Sequence, residues 1–284
     1  MGIFQFEHDP PPPLVAPVLV VALEGWVDAG AAATTAAATI ARDGEPFARL
    51  DPDALFDYRA RRPTLEIVDG AIKSLEWPEL TVTRVNAGGR DVLVMTGPEP
   101  DQRWRELNAA TIEFALRCGV VLFVALGSIG LGVPHTRPTP VMGTATPSSL
   151  LPPDQPRPEG ILRVPAACVS TLENAFIQHG IPAVGFWART PYYLSSFDQA
   201  ALALVDRLGS HLTLSFDTRP LERAVDDERT QLEAIMGARP DVEEHVRQLE
   251  KASEEQQGIF RVPSGDEIAS EIERYLRDRR KDAD

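Results

Sequence analysis

Residues 17–23, Pro-Val-Leu-Val-Val-Ala-Leu, form an apolar run with no polar interruption. The run is far shorter than the ~20 residues a membrane-spanning helix requires. It also lacks the polar alternation of a strand with one wet face. A strand built from it must therefore be covered on both sides. Glu24-Gly25-Trp26-Val27-Asp28-Ala29-Gly30 follows as a loop, and then an alanine-rich stretch that predicts a helix over about Ala29 to Arg42. The same rhythm returns downstream. Strands are predicted at Asp91–Met95, Val120–Leu126 and Ala183–Trp187, with an extended stretch near Val141–Thr146. Helices are predicted near Gln102–Cys118, Ala166–His179 and Ser195–His211. Buried strands alternating with helices imply parallel pairing and right-handed crossovers, so the expected fold is a three-layer α/β/α sandwich.

The stretch from Phe56 to Asn86 departs from this pattern. Leu65, Ile67, Ile72 and Leu75 alternate with polar residues around an Asp69-Gly70 turn, which predicts a hairpin beside the main sheet. From about Asp217 no strand pattern remains. Leu221, Val225, Leu232 and Ile235 lie near one helical stripe, as do Val242, Val246 and Leu249, then Ile268, Ile272 and Leu276. Ser264 with Glu267 is a capping-box pair for the last of these helices. The expected division is an α/β core over 1–216 and a helical C-terminal extension over 217–284. The extension carries 19 acidic and 12 basic residues, so it holds −7 of the chain's net −14. It reads as a brace packed on the core, as a partner-binding arm, or as both.

The net charge of −14 argues against a nucleic-acid backbone or an anionic membrane as partner. Two cysteines, Cys118 and Cys168, sit in apolar contexts and supply neither a disulfide framework nor a zinc site. No metal and no cofactor are implied. The first residues lack the basic start and apolar stretch of a signal peptide, so a cytoplasmic location is expected.

Three loops stand at predicted strand ends, where open α/β sheets gather ligands beside free helix N–H groups. The first holds Glu24, Gly25, Trp26, Asp28 and Gly30. Asp28 there is a good helix cap, and the exposed carboxylate and indole also suit a ligand or partner contact. The second runs from Gly127 through Gly130 to Pro138, with glycines that allow positive φ and with His135 and Arg137 suited to an anion or carboxylate. Its spacing is neither a dinucleotide fingerprint, nor a phosphate loop, nor a nucleophile elbow, where Leu126 stands in place of the first glycine. The third carries Arg189, Tyr192 and Tyr193, side chains favoured at protein interfaces. No catalytic residue is assigned.

Taken together, Glu24-Gly-Trp-Val-Asp-Ala-Gly, Gly127 through Pro134-His-Thr-Arg-Pro with Gly143-Thr-Ala, and Pro191-Tyr-Tyr-Leu resemble the proteasome assembly chaperone 2 family. The resemblance runs over roughly residues 14–215. It is strongest to the actinobacterial branch, whose helical C-terminal extension is similar to Pro263-Ser-Gly-Asp-Glu here. It implies a phosphorylase/hydrolase-like α/β/α sandwich and a non-enzymatic, chaperone-like protein. It further implies homo-oligomers and proteasome subunits as partners. An enzyme or sensor of a small anionic ligand at the strand-end loops is the alternative. Ligase chemistry of the ATP-grasp kind needs phosphate-binding lysines, and Lys73 is the one lysine ahead of the tail. Tyr192 replaces a histidine found in many relatives. The chain also ends Lys281-Asp-Ala-Asp rather than in the hydrophobic-Tyr-x motif of proteasome-docking termini, so docking through the C-terminus is not expected.

Overall fold

The computed structural model describes residues 2–255, so the expected capping box at Ser264 and the stripe through Leu276 lie outside the described residues. The strands are β1 Phe4–Phe6, β2 Val18–Glu24, β3 Glu45–Leu50, β4 Thr64–Val68, β5 Ala71–Glu76, β6 Thr81–Ala87, β7 Arg90–Pro98, β8 Leu122–Leu131, β9 Val141–Thr146 and β10 Ala183–Pro191. The helices are α1 Ala32–Ala41, α2 Pro52–Leu55, α3 Trp104–Cys118, α4 Cys168–Gln178, α5 Asp198–Leu212, α6 Arg219–Ala238 and α7 Pro240–Glu255. Eight strands form one sheet in the order β1-β3-β6-β7-β2-β8-β10-β9, and β4 with β5 forms a separate hairpin.

The apolar run at 18–23 becomes the centre of the sheet, parallel to β7 on one side and to β8 on the other. Its side chains alternate between two cores. Leu19, Val21 and Leu23 meet Leu107, Ile112 and Phe114 of α3 and Leu172 and Phe176 of α4. Val18, Val20 and Ala22 meet α1 and α5. The three layers follow directly, because a strand apolar on both faces needs a helix over each. On the second face α1 presents Ala32, Ala33, Ala36 and Ala37 to the core, and α5 presents Ala200, Ala201, Leu204 and Leu208. Small side chains let these two helices approach one another closely. Each large side chain buried this way contributes about 1.5–3 kcal/mol.

Two features differ from the sequence reading. Pairing is parallel only across β7-β2-β8-β10; β1, β3 and β6 join antiparallel on one flank and β9 on the other. The expected hairpin region ends earlier than Asn86, because β6 leaves it and pairs with β7. The second difference lies in β8 and β10, which run on past Leu126 and Trp187 as a continuous ladder to Leu131 and Pro191. Gly127 and Gly130 are therefore extended strand residues, not positive-φ hinges. Gly127 is required for space: a Cβ there would stand 2.4 Å from the Trp187 ring.

Candidate functional site

The carboxyl ends of β2, β8 and β10 meet at one edge of the sheet. Asp28 bridges to Ser128, whose hydroxyl donates to the Ala29 carbonyl at 2.7 Å. The Tyr192 N–H donates to Leu131 O at 3.1 Å, and the Phe197 N–H donates to Gly30 O at 2.9 Å. Gly30 turns the chain at φ 66°, and its Cα lies so close to Phe197 that a Cβ would touch it at 3.1 Å.

Asp28 is 8% exposed. One carboxylate oxygen accepts from the Ala33 N–H at 2.8 Å and the Thr34 N–H at 3.2 Å, the other from the Thr34 hydroxyl at 2.6 Å. Burial pushes its pKa above the ordinary carboxylate value, against the lowering effect of those donors. Two further carboxylates do the same for neighbouring helices. Glu99 accepts from the Cys168 N–H at the start of α4 at 2.6 Å. Glu228 of α6 accepts from the Asp198 N–H at the start of α5 at 3.0 Å, and burial raises its pKa. These free N–H groups are what makes a helix start attractive to an anion. At three helices on this edge the protein supplies the anion itself.

His135 is 7% exposed and is fastened to Tyr193. Its backbone N–H donates to the Tyr193 hydroxyl at 3.1 Å, and its Nδ1 lies 2.8 Å from the same oxygen. A hydroxyl that accepts the N–H has its proton free for Nδ1, so the neutral ring carries hydrogen on Nε2. Burial lowers the His135 pKa and lifts that of Tyr193 to about 12. Nε2 is buried with no partner among the described residues.

Helix α7 lies over this pair. The Tyr192 hydroxyl is 2.8 Å from His245 Nε2, and the His245 ring stands edge-on to both tyrosines. Thr136 donates to Glu250, and Arg137 donates to Glu254 at 2.5 Å. Val246, from the predicted stripe, is 3% exposed beneath.

Of the residues singled out in the sequence, Asp28, Gly30, Gly130, His135, Arg137, Tyr192 and Tyr193 come together here. Arg189 and Gly127 lie within the strands. The Arg189 N–H donates to Pro140 O at 3.0 Å, and burial lowers its guanidinium pKa. Glu24 and Gly25 face β7 instead. Glu24 pairs with Arg61 at 3.4 Å, and a Cβ on Gly25 would lie 2.9 Å from that of Glu99. Trp26, between the two groups, is 69% exposed. Sequence reasoning passed over Ser128, Glu99, Glu228 and the α7 residues His245, Glu250 and Glu254. The four-residue spacing of Glu250 and Glu254 was the visible signal, since it places both on one helix face. No metal-binding cluster occurs among the described residues, and no helix among them is long and apolar enough to cross a membrane. A cavity of about 560 Å³ lies at the other end of the sheet, lined by the end of α1, β6 and Ser215–Asp217.

The architecture and this self-capped edge define a three-layer α/β/α protein with a helical extension folded over its strand ends. The sequence profile of the PAC2 family matches residues 22–236, and the chain belongs to that family. It is similar to a PAC2 family protein from Streptomyces avermitilis, at 34% identity over 81% of this chain and 99% of that one, with a TM-score of 0.71. A proteasome-assembly chaperone homologue from Mycobacterium tuberculosis is 31% identical over 81% and 99%, with a TM-score of 0.73. A Mycobacterium tuberculosis protein of unknown function is 31% identical over 89% and 91%, with a TM-score of 0.84. Among curated proteins none matches.

Proposed function

We propose that this chain is a non-catalytic, assembly-chaperone-like protein that binds proteasome subunits and associates with itself. One observation carries the reading: the helix starts at the strand-end edge are capped by Asp28, Glu99 and Glu228. Positions that hold substrate anions in ligand-binding α/β proteins are thereby occupied by the protein's own carboxylates. The likeness to a mycobacterial proteasome-assembly chaperone homologue supports the partner class. Light scattering of the purified chain, with a pull-down against purified proteasome α and β subunits, tests it. The expected result is an oligomer that retains a subunit. A monomer that retains neither overturns it.

The anionic-ligand reading of the same loops has one point in its favour, the unpartnered Nε2 of His135. A thermal-shift screen over nucleotides, phosphates and carboxylates decides it. Ligand at 100 times its dissociation constant adds about 2.7 kcal/mol of stability. An absence of shift in every compound class ends this reading.

A further inference from the structure

The β4–β5 hairpin stands apart from the main sheet, with every residue of β4 exposed. Its Asp69-Gly70 turn has φ of 50° and 79°, both positive, as a two-residue hairpin loop requires. Cross-strand pairing sets Leu65 opposite Leu75 and Ile67 opposite Ile72, with Lys73 taken up in a bulge. Those four side chains share one face, and Trp77 continues it two residues past Leu75. Thr64, Glu66, Ser74 and Glu76 occupy the other face, with the Val68–Ala71 pair next to the turn, and Ser74 donates to Glu66 at 3.2 Å. The hairpin is therefore amphipathic, yet its apolar face is in solvent: Leu65 45%, Ile67 58%, Ile72 68%, Leu75 48% and Trp77 50% exposed. Trp77 packs against Tyr58, with ring centroids 4.7 Å apart.

A two-stranded ribbon with an uncovered apolar face is marginal in water unless something packs on it. We propose that this face is the self-association surface and that its occupant is the same hairpin of a second copy, related by a two-fold axis. The proposal deepens the self-association in the function proposed above and rests on it. Two observations select a second copy. First, a two-fold contact sets each residue near its own twin. In a chain of net charge −14 that arrangement opposes like charges across most of the surface. Across this face the paired residues Leu65, Ile67, Ile72 and Leu75 are all apolar, and Glu66 and Glu76 lie on the opposite side. It is self-complementary. The second observation is size. The five side chains leave on the order of 500–600 Å² in water, as large as the patches that mark interaction sites. Two copies face to face would bury about 1,100 Å², near the lower bound for a specific interface.

The test is sedimentation velocity or light scattering of the full chain from low to high micromolar concentration. It compares wild type with Ile67→Glu/Ile72→Glu and with the opposite-face control Glu66→Gln/Glu76→Gln. The expected result is an oligomeric wild type and control, and an apolar-face variant weakened at least about 100-fold in self-association, since it would desolvate unpaired charges at the centre of the contact. Its melting temperature in the dissociated state should match wild type, because the substituted side chains are exposed in the single chain. An apolar-face variant that stays oligomeric overturns the hairpin interface and leaves self-association standing. A wild type that is monomeric throughout overturns both. A monomeric wild type that binds purified proteasome subunits through Ile67 and Ile72 assigns the face to that partner and overturns the second copy.

Discussion

Replacing Asp28 by alanine separates a structural carboxylate from one kept for a ligand. In the structure this side chain satisfies two backbone donors, Ala33 and Thr34, and the Thr34 hydroxyl, all at the buried start of α1. Loss of a capping oxygen costs about 0.5–2 kcal/mol. A buried N–H left without a partner costs about 1–3 kcal/mol. Against these stands the relief of a carboxylate whose ionisation burial already disfavours, as its raised pKa indicates. The net expectation is a loss of about 2–3 kcal/mol for Asp28→Ala, or a fall of about 3–5 °C in Tm for a chain of this size. Asp28→Asn retains an acceptor for the two N–H groups, and its amide can donate to the Thr34 oxygen, so its cost should stay within about 1 kcal/mol. Differential scanning calorimetry of the three proteins provides the comparison. If the alanine variant melts with wild type, or the asparagine variant falls as far as alanine, Asp28 is not the cap described here and the carboxylate is free for chemistry.

Tyr193→Phe removes the hydroxyl that serves both the His135 N–H and Nδ1. It should cost about 1–3 kcal/mol by urea denaturation, and an unchanged midpoint would refute that bond. Gly127→Ala forces a Cβ to within 2.4 Å of the Trp187 ring. Overpacking of this kind costs about 1–3 kcal/mol, and a variant as stable as wild type would mean the β8–β10 ladder does not run through this point. Acidification should destabilise the fold through His135. Its folded pKa lies below 6.5, so below about that pH the unfolded chain binds a proton that the folded chain does not. Stability therefore falls as pH drops from 6.5 towards the folded value, by at most about 1.4 kcal/mol per pH unit for one proton. In His135→Asn the slope of Tm against pH should flatten over that window, and an identical slope would exclude His135 as its source. Arg137→Ala breaks an ion pair whose side chains are 50% and 60% exposed. A loss above about 1 kcal/mol by thermal melting would show that the pair does more than an exposed pair can.

The central strand was legible in the sequence because Val18–Leu23 is apolar on both faces and only one environment suits it. The Asp69-Gly70 turn was legible because its φ values are those glycine and aspartate tolerate. Asp28 as a cap could be read from residue type, although its donors lie five and six residues on, past a turn at Ala29–Ala31. What failed to show was long-range. Strand β3 carries Glu45, Pro46 and Arg49 among its six residues, so its local pattern is that of a loop. Only its ladders with β1 and β6 make it a strand. Gly127 and Gly130 signalled a hinge because glycine's two uses, conformational freedom and missing bulk, look alike until the facing Trp187 is known. The cover of α7 over His135 and Arg137 joins residues more than a hundred positions apart, as in the contact of Arg137 with Glu254. No window of sequence contains both partners.

An open α/β sheet gathers ligands at the carboxyl ends of its strands because helix starts leave N–H groups there in need of an acceptor. When Asp28, Glu99 and Glu228 meet that need, those N–H groups are no longer free for a ligand, and the caps from Glu99 and Glu228 tie together segments 69 and 30 positions apart. Arg137 is neutralised in the same way by Glu254. Large apolar side chains remain exposed elsewhere on the surface: Trp26 at 69%, the hairpin face, and Ile161 and Val164 at 82% and 60%. Charged groups shape association rates and salt dependence, whereas apolar anchors in a desolvated contact hold a complex together. The proposed role of holding another polypeptide rests on this pairing of occupied helix starts with indole and aliphatic side chains left in water.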